Sequence, residues 1–300
     1  MTKVNVISGG KSAEREVSLR SGVAVAKALA SSGHEVTLLD PRIADIEEIA
    51  ACDIVFLALH GAGGEDGTIQ AKLEARGTKF VGSGSAASAL CFDKSQYKRL
   101  LQEKGLPTPR FALIHEWDVQ DHELTKRPFV IKPYDGGSSI DTFIVRQPEK
   151  APWAQILNAI KGTYGEMLLE ELIEGTELTV GILGDKPLPI IKIVPPQHGE
   201  FDYENKYNGA SQEIIAPDDI PARVQATAQN LALKAHTLAG CRDLSRTDIM
   251  LNSRGDLYLL ETNTLPGMTD QSLFPKMAAA DGMLMPELCQ RLVAMALNGS

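Results

Sequence analysis

The chain has 300 residues, 43% hydrophobic and 23% charged, an ordinary balance for a globular protein and long enough for two or three packed modules. A formal charge of -9 argues against a partner held by phosphate-backbone electrostatics, so nucleic acid is not expected. The four cysteines, Cys52, Cys91, Cys241 and Cys289, are far apart with no C-x-x-C pair, which speaks against a zinc site or a disulfide framework and for reduced core thiols.

From Met1 to Gly10 there is one lysine and only a short apolar run, too brief for a signal peptide. No stretch approaches the ~20 apolar residues of a membrane span, so a cytoplasmic protein without membrane contact is expected. "VNVIS", a Gly-Gly turn and a helical pattern from about Glu14 to Ala30 read as strand, turn and helix; "EVTLLD" and "DIVFLALHG" are further short apolar runs of buried-strand type. With "KFVGS" and the helix-like "SAASALCFDKSQYKRLLQEKG" they make residues 1–93 a parallel-sheet α/β module. "GLPTPRF" punctuates the chain, and "PFVIKPYDGGSS", "DTFIVR" and "MLLEELI" supply strands around a glycine-rich loop, with a helix near Trp153 to Lys161; this is a smaller second module, 94–175. Residues 176–300 give strands "LTVGIL" and "LPIIKIV", an irregular polar stretch from Pro195 to Gln212, a long helix around Ala222 to Ala239, and the hairpin "RTDIMLNSRGDLYLLETN".

Side chains two apart on a strand share a face, so Arg246 points with Asp248 and Glu261 with Asn263. The turn near Ser253 to Gly255 decides whether the pairs meet. A two-residue loop sets Asp248 opposite Leu259 with all four polar groups on one face, and a three-residue loop with a bulge at Gly255 shifts the register by one. Two carboxylates and a carboxamide are hard oxygen ligands suited to Mg²⁺, which is usually completed by water and substrate phosphates; the plain alternative is a strand end paired with Arg246.

"IKPYDGGSSID" puts Lys132 at a strand end, followed by Gly136, Gly137, Ser138 and Ser139, whose N–H groups and hydroxyls could close over phosphate oxygens. The Walker A pattern is absent, since "GGKS" at Gly9 to Ser12 has Asn5 where the earlier glycine is required. "GSGSAA", Gly82 to Ala87, matches G-x-G-x-x-A and offers a rival dinucleotide reading, but it comes late in its module and leaves the acidic hairpin without a role.

"GGKSAEREVSLRSG", "ALHGAGGEDGTIQ", "FVGSGSAASALCFDK", "LLEELIEGTELTV", "YENKY", "SRTDIML" and "LETNTLPGMTDQSLFP" occur in the order and at roughly the spacing of the D-alanine–D-alanine ligases. The chain therefore resembles that family of the ATP-grasp superfamily over nearly its whole length. The resemblance implies an α/β, three-domain ATP-grasp architecture: an N-terminal substrate domain (1–93), a central subdomain (94–175) and a C-terminal domain with the Mg²⁺ site (176–300), ATP lying between the last two. It implies phosphorylation of one D-alanine carboxylate by ATP and attack of a second D-alanine amine on the acylphosphate, giving D-alanyl-D-alanine, ADP and phosphate for peptidoglycan precursors. A same-fold ligase for another amino acid or nucleophile is the alternative, and a homodimer is expected from the family.

By resemblance Asp248, Glu261 and Asn263 are ligands of Mg²⁺ or Mn²⁺, two ions in all. Lys94 and Lys132 match the ATP-phosphate lysines, Glu170 and Glu177 the acidic residues near adenine and ribose, and the backbone at Leu172 and Ile173 should contact adenine. Glu14 matches the carboxylate that fixes the first D-alanine's ammonium, with Ser18 nearby and His60 lining the same pocket. Without the family, "SAERE" reads as a helix start capped by Ser12. Ser138 and Tyr207 match the partners that join Glu14 in a closing network, and Lys206 should reach the phosphate or second substrate. Arg246 and the Gly267 backbone resemble the oxyanion-stabilising pair, while Ser272 and Leu273 match the second substrate's carboxylate site.

Two departures bear on the pocket. The family loop reads close to R/H-E-G-S-S-x-G, where this chain has Asp135, Gly136 and, at the closing glycine, Asp141; added negative charge beside phosphates opposes ATP binding unless paired. Gln271 stands where a histidine is usual, and it donates a hydrogen bond without titrating. The Lys206–Tyr207 pair resembles the D-alanine-adding ligases, which favours an amine nucleophile.

Overall fold

In the computed structural model the chain is described over residues 1–136, 141–195 and 212–299, and its strands form three sheets. The first comprises β1 (Lys3–Ile7), β2 (Glu35–Leu39), β3 (Ile54–Leu57) and β4 (Phe80–Val81), all parallel, in the order β2-β1-β3-β4. The inner strands β1 and β3 are buried and largely apolar because helices cover both faces of a parallel sheet. Asn5 interrupts β1 without cost to pairing, since its amide donates to the carbonyls of Glu48 and Ile49 at the end of α2 (Ile46–Ala50). Helix α1 (Arg15–Ser31) begins one residue later than expected, and Ser12 does not cap it: the Ser12 hydroxyl donates to the His60 carbonyl at 2.6 Å. Helices α3 (Thr68–Glu74) and α4 (Ser85–Phe92) complete this part.

The second sheet is antiparallel, β5 (Phe111–His115), β6 (Phe129–Lys132), β7 (Phe143–Val145) and β8 (Glu166–Glu171), ordered β5-β8-β6-β7, with α6 (Trp153–Ala159) packed on its apolar face. The third has six strands: β9 (Gly175–Leu183), β10 (Lys186–Pro187), β11 (Ile191–Val194), β12 (Gln212–Ile215), β13 (Leu244–Asn252) and β14 (Leu257–Asn263). Helix α7 (Ala222–Leu238) lays Ala228, Ala232 and Ala235, every third or fourth residue, against it. Helices α8 (Leu273–Ala280) and α9 (Met285–Asn298) follow.

Sheets and helices do not divide along the same lines. Tyr97 and Leu101 of α5 (Lys94–Glu103) share a core with β9, β13, β14 and α7, although the sequence groups α5 with the central module. Leu288, Leu292 and Val293 of α9 pack with Val4, Val6 and Phe56 of the first sheet. These two helices tie the modules together.

The "GSGSAA" loop belongs to the same seam. The Gly82 N–H donates to Asp243 at 2.7 Å, the Gly82 carbonyl accepts from the Arg242 guanidinium, and the Ser85 N–H at the start of α4 donates to Glu74 at 2.8 Å. Groups that would cradle a pyrophosphate are already used by the chain, which removes the dinucleotide reading. Nearby, the Sγ atoms of Cys91 and Cys241 lie 3.8 Å apart, an approach across 150 residues that sequence spacing does not reveal. Among the described residues no helix is long and apolar enough to cross a membrane.

Candidate active site

Register in the β13–β14 hairpin sets the site. Asn252 and Asp256 close the turn and Gly255 has φ +88°, so the loop is the three-residue form. That register alone puts Ile249 opposite Leu259 and leaves Asp248 opposite Leu260. A bulge then absorbs Leu260, so Asp248 faces Glu261 and Arg246 faces Asn263. Strict alternation would have sent Glu261 to the face of Leu259, which is fully buried in the core. The bulge, which neither expected loop geometry included, lets Leu259 face the core and Glu261 the cavity.

The four polar side chains are held from behind and from the side. On the core face the Thr262 hydroxyl meets Thr247 at 2.8 Å and Tyr97 of α5 at 2.6 Å. On the open face Arg246 grips Asp248 through two hydrogen bonds of 3.0 and 2.9 Å, and the Thr179 hydroxyl of β9 donates to Asp248 at 2.6 Å. The Asn263 side-chain oxygen accepts from the Leu265 N–H at 2.9 Å.

Helix α5 brings the lysines. Its N-cap Asp93 accepts from the Ser95 and Gln96 N–H groups, which places Lys94 at the first helical position; Lys94 Nζ reaches the Gly136 carbonyl and lies 3.6 Å from Glu261. One turn on, Lys98 forms an ion pair of 2.7 Å with Glu170 of β8, and Lys132 at the end of β6 pairs with the other Glu170 oxygen at 2.8 Å. Burial would raise the Glu170 carboxyl, but Lys132 and Lys98 hold it below the usual carboxylate range. Burial pushes Lys98 down to about 8 against the opposing pull of Glu170.

At the amino-terminal end, β3 delivers His60 and the start of α1 delivers Glu14. His60 is buried, contacts the Ser21 hydroxyl at 3.3 Å, and is depressed to about 4 by burial, so it is neutral at physiological pH. The loop after it closes on itself. The Gly61 N–H donates to Glu65 at 2.6 Å, and Gly61 (φ +68°) brings its backbone so close that an added Cβ would lie 3.0 Å from Glu14. Burial, and then the Glu14 charge, push Glu65 up to about 8.

A cavity of about 1100 Å³ lies between the sheets. Glu14, His60 and Glu65 lie on its wall with Arg246, Gly267, Gln271, Ser272 and Leu273, and so do Lys94, Glu177, Thr179, Asp248, Glu261 and Asn263. Gly267 approaches Ser272 so closely that a Cβ would sit 2.8 Å from its hydroxyl. A concave site with carboxylates at one end and cation–carboxylate pairs at the other suits a zwitterion next to a polyphosphate.

The D-ala D-ala ligase C-terminus family matches residues 100–294, and the D-ala D-ala ligase N-terminus family matches residues 40–83. The chain belongs to the D-alanine–D-alanine ligase family. It is 41% identical to the D-alanine–D-alanine ligase of Nitratidesulfovibrio vulgaris strain Hildenborough, over 99% of both chains, and 40% identical to that of Desulforudis audaxviator, over 98% of both. The crystal structure of the Bacillus anthracis D-alanine–D-alanine ligase superposes with a TM-score of 0.87 at 31% identity, covering 99% of this chain and 98% of that one; its complex with ATP gives 0.83 at 29%. The three-sheet architecture is thus the fold of the D-alanine–D-alanine ligases.

Not every residue singled out for a D-alanine–D-alanine ligase reaches the cavity wall. Lys132 and Glu170 are not among its lining residues, although 14% of the Lys132 side chain stays exposed, and Leu172 and Ile173 sit half-buried on the β8–β9 connection. Ser18 is fully buried with its hydroxyl held between the Gly9 N–H and the Ala58 carbonyl, so it braces the glycine turn and is not on the cavity wall. Ser138, Lys206 and Tyr207 lie outside the described residues. Sequence reasoning passed over Glu65, a carboxylate set among glycines in "GAGGEDG", and Thr179, a polar residue on a buried strand. Of the loop departures, Asp141 occupies the left-handed region at φ +52°, which Asp tolerates better than most residues. Gln271 is exposed at the wall beside Ser272.

The donor set fits a divalent cation. Asp248 and Glu261 face each other across the bulge with Asn263 adjacent, three oxygen-bearing side chains on one open face. Among the described residues no group of three His, Cys, Asp or Glu forms a metal cluster. A site of two carboxylates and a carboxamide therefore needs phosphate oxygens or water to complete it.

Proposed function

We propose that this cavity is where the D-alanine–D-alanine ligase joins two D-alanines at the expense of ATP, as a cytoplasmic enzyme of peptidoglycan precursor synthesis and as a homodimer. The observation that carries the reading is the single wall shared by Glu14, His60, Arg246, Gly267 and the Asp248–Glu261–Asn263 face. A carboxylate is a poor electrophile because its leaving group would be oxide. Transfer of the γ-phosphoryl group gives D-alanyl phosphate, whose leaving group is phosphate.

In this reading Glu14 holds the first D-alanine's ammonium, and neutral His60 turns it without adding repulsion. Asp248, Glu261 and Asn263 would hold Mg²⁺ or Mn²⁺, two ions with the phosphates, which would supply positive charge to offset the negative charge on the transferring phosphoryl group. Lys94 and Lys132 face the phosphates, Glu177 the ribose, and Glu170 with the backbone at Leu172 and Ile173 the adenine. The Ser272 hydroxyl and Leu273 N–H, at the start of α8, receive the second substrate's carboxylate where the helix N-terminus favours an anion. Its amine attacks the acyl carbon; Arg246 and the Gly267 N–H stabilise the oxyanion of the tetrahedral intermediate, which collapses with loss of phosphate.

The test is metal-dependent ADP release with D-alanine, L-alanine, D-serine, or D-alanine plus D-lactate, with products identified by mass. D-alanyl-D-alanine from D-alanine alone is expected. ADP release that needs a different second substrate would transfer the assignment to a ligase of altered nucleophile and make Gln271 the first residue to revert.

A further inference from the structure

Of the two lysines on Glu170, Lys98 is the fully enclosed one. Its side chain is 0% exposed, against 14% for Lys132, and its Nζ is enclosed by Glu170 at 2.7 Å, the Thr108 hydroxyl at 2.9 Å and the Phe111 ring. Thr108 in turn donates to the Leu259 carbonyl in the hairpin, so the ammonium is fixed from α5, β8 and β14 together. A buried lysine is costly unless its charge is needed where it lies.

The charge count shows what it is needed for. Glu170 carries one negative charge and touches two lysines, one on each oxygen. With Lys98 removed, Glu170 and Lys132 would form a closed neutral pair, and turning Lys132 toward an anion would strand a buried carboxylate. With Lys98 in place, Glu170 stays compensated whichever way Lys132 turns. We propose that Lys98 is a positioning residue: it is the permanent counter-ion of Glu170, and it thereby leaves the Lys132 charge free for nucleotide phosphates. This rests on the reading of Lys132 as a phosphate lysine.

The test compares ADP with adenosine, each titrated calorimetrically in Mg²⁺ buffer, because only ADP carries the phosphates. Lys132→Met should weaken ADP by at least ~10-fold and adenosine little, the scale of one lost charge-assisted contact. Equal weakening of both would overturn the phosphate reading itself. Given a selective Lys132 effect, Lys98→Met should also weaken ADP more than adenosine by at least ~10-fold. Equal weakening, or none, would overturn the proposal and leave Lys98 as core packing. The double variant Lys98→Met/Glu170→Gln keeps no unpaired buried carboxylate, so it serves even if the single variant fails to fold. Lys98 acting through Glu170 predicts that the double variant regains the wild-type ratio of ADP to adenosine affinity, and a ratio that stays depressed would overturn it.

Discussion

At the amino-terminal end of the cavity Glu14 and Glu65 stand together beside a neutral histidine, and among the described residues no basic side chain forms an ion pair with Glu65. At the hairpin end three carboxylates have cations to hand: Arg246 on Asp248, Lys94 near Glu261, Lys98 and Lys132 on Glu170. At the first end burial and the Glu14 charge raise Glu65 to about 8, and Glu14 is the carboxylate proposed to meet the substrate ammonium. The second is nearly balanced, so phosphates and a divalent cation can enter together without a large net change in charge.

The harshest way to break the comparison is at the hairpin. Glu261→Gln should keep the fold, with an unchanged circular dichroism spectrum, and lower metal-dependent ADP release by at least ~100-fold, the scale of losing one preorganised electrostatic group. Full turnover would remove Glu261 from the metal site. The matching change at the other end, Glu14→Gln, should act on the first D-alanine: kcat/KM for that substrate falls by ~10- to 100-fold, as expected for a charge-assisted contact, while ADP affinity holds. If ADP affinity fell equally, the two ends would not be separate.

Glu65 sharpens the contrast through pH. Its folded value, raised from 4.5 to about 8, means that the folded state binds a proton the unfolded state has released. The stability it contributes is complete below about pH 4.5 and is lost as the pH rises through about 8. Glu65→Gln should flatten the fall in urea-unfolding free energy across that window, and an unaltered slope would mean the carboxyl is charged throughout. The smallest effect should come from behind the hairpin: Tyr97→Phe removes the hydroxyl that meets Thr262 and should cost about 1–2 kcal/mol of stability by denaturant melt. ADP release should stay within ~3-fold, an estimate for a group that touches no ligand.

Composition and local pattern already determine much of this protein. Continuous apolar strands next to helical periods require a parallel sheet in the first third, and the alternation around Arg246 and Asp248 and around Glu261 and Asn263 requires that each pair share a face. Lys132 at the end of "FVIK" is legible for the same reason, since a lysine cannot stay inside that strand without a partner. Longer-range facts are not written in any window of sequence. The two polar pairs meet on one face only because a bulge at Leu260 interrupts the alternation, and a bulge is decided by what must pack on both sides of the strand. Lys98 looks like a solvated helix charge until β8 delivers Glu170 to it, and Glu65 looks like a loop carboxylate until Gly61 folds its N–H onto it and α1 sets Glu14 alongside. Ser18 errs in the other direction: a serine beside the substrate segment is consumed by the backbone it braces. Periodicity is a property of neighbours along the chain and can be read from it, whereas desolvation and charge pairing depend on groups from separate elements, which only the tertiary structure brings together.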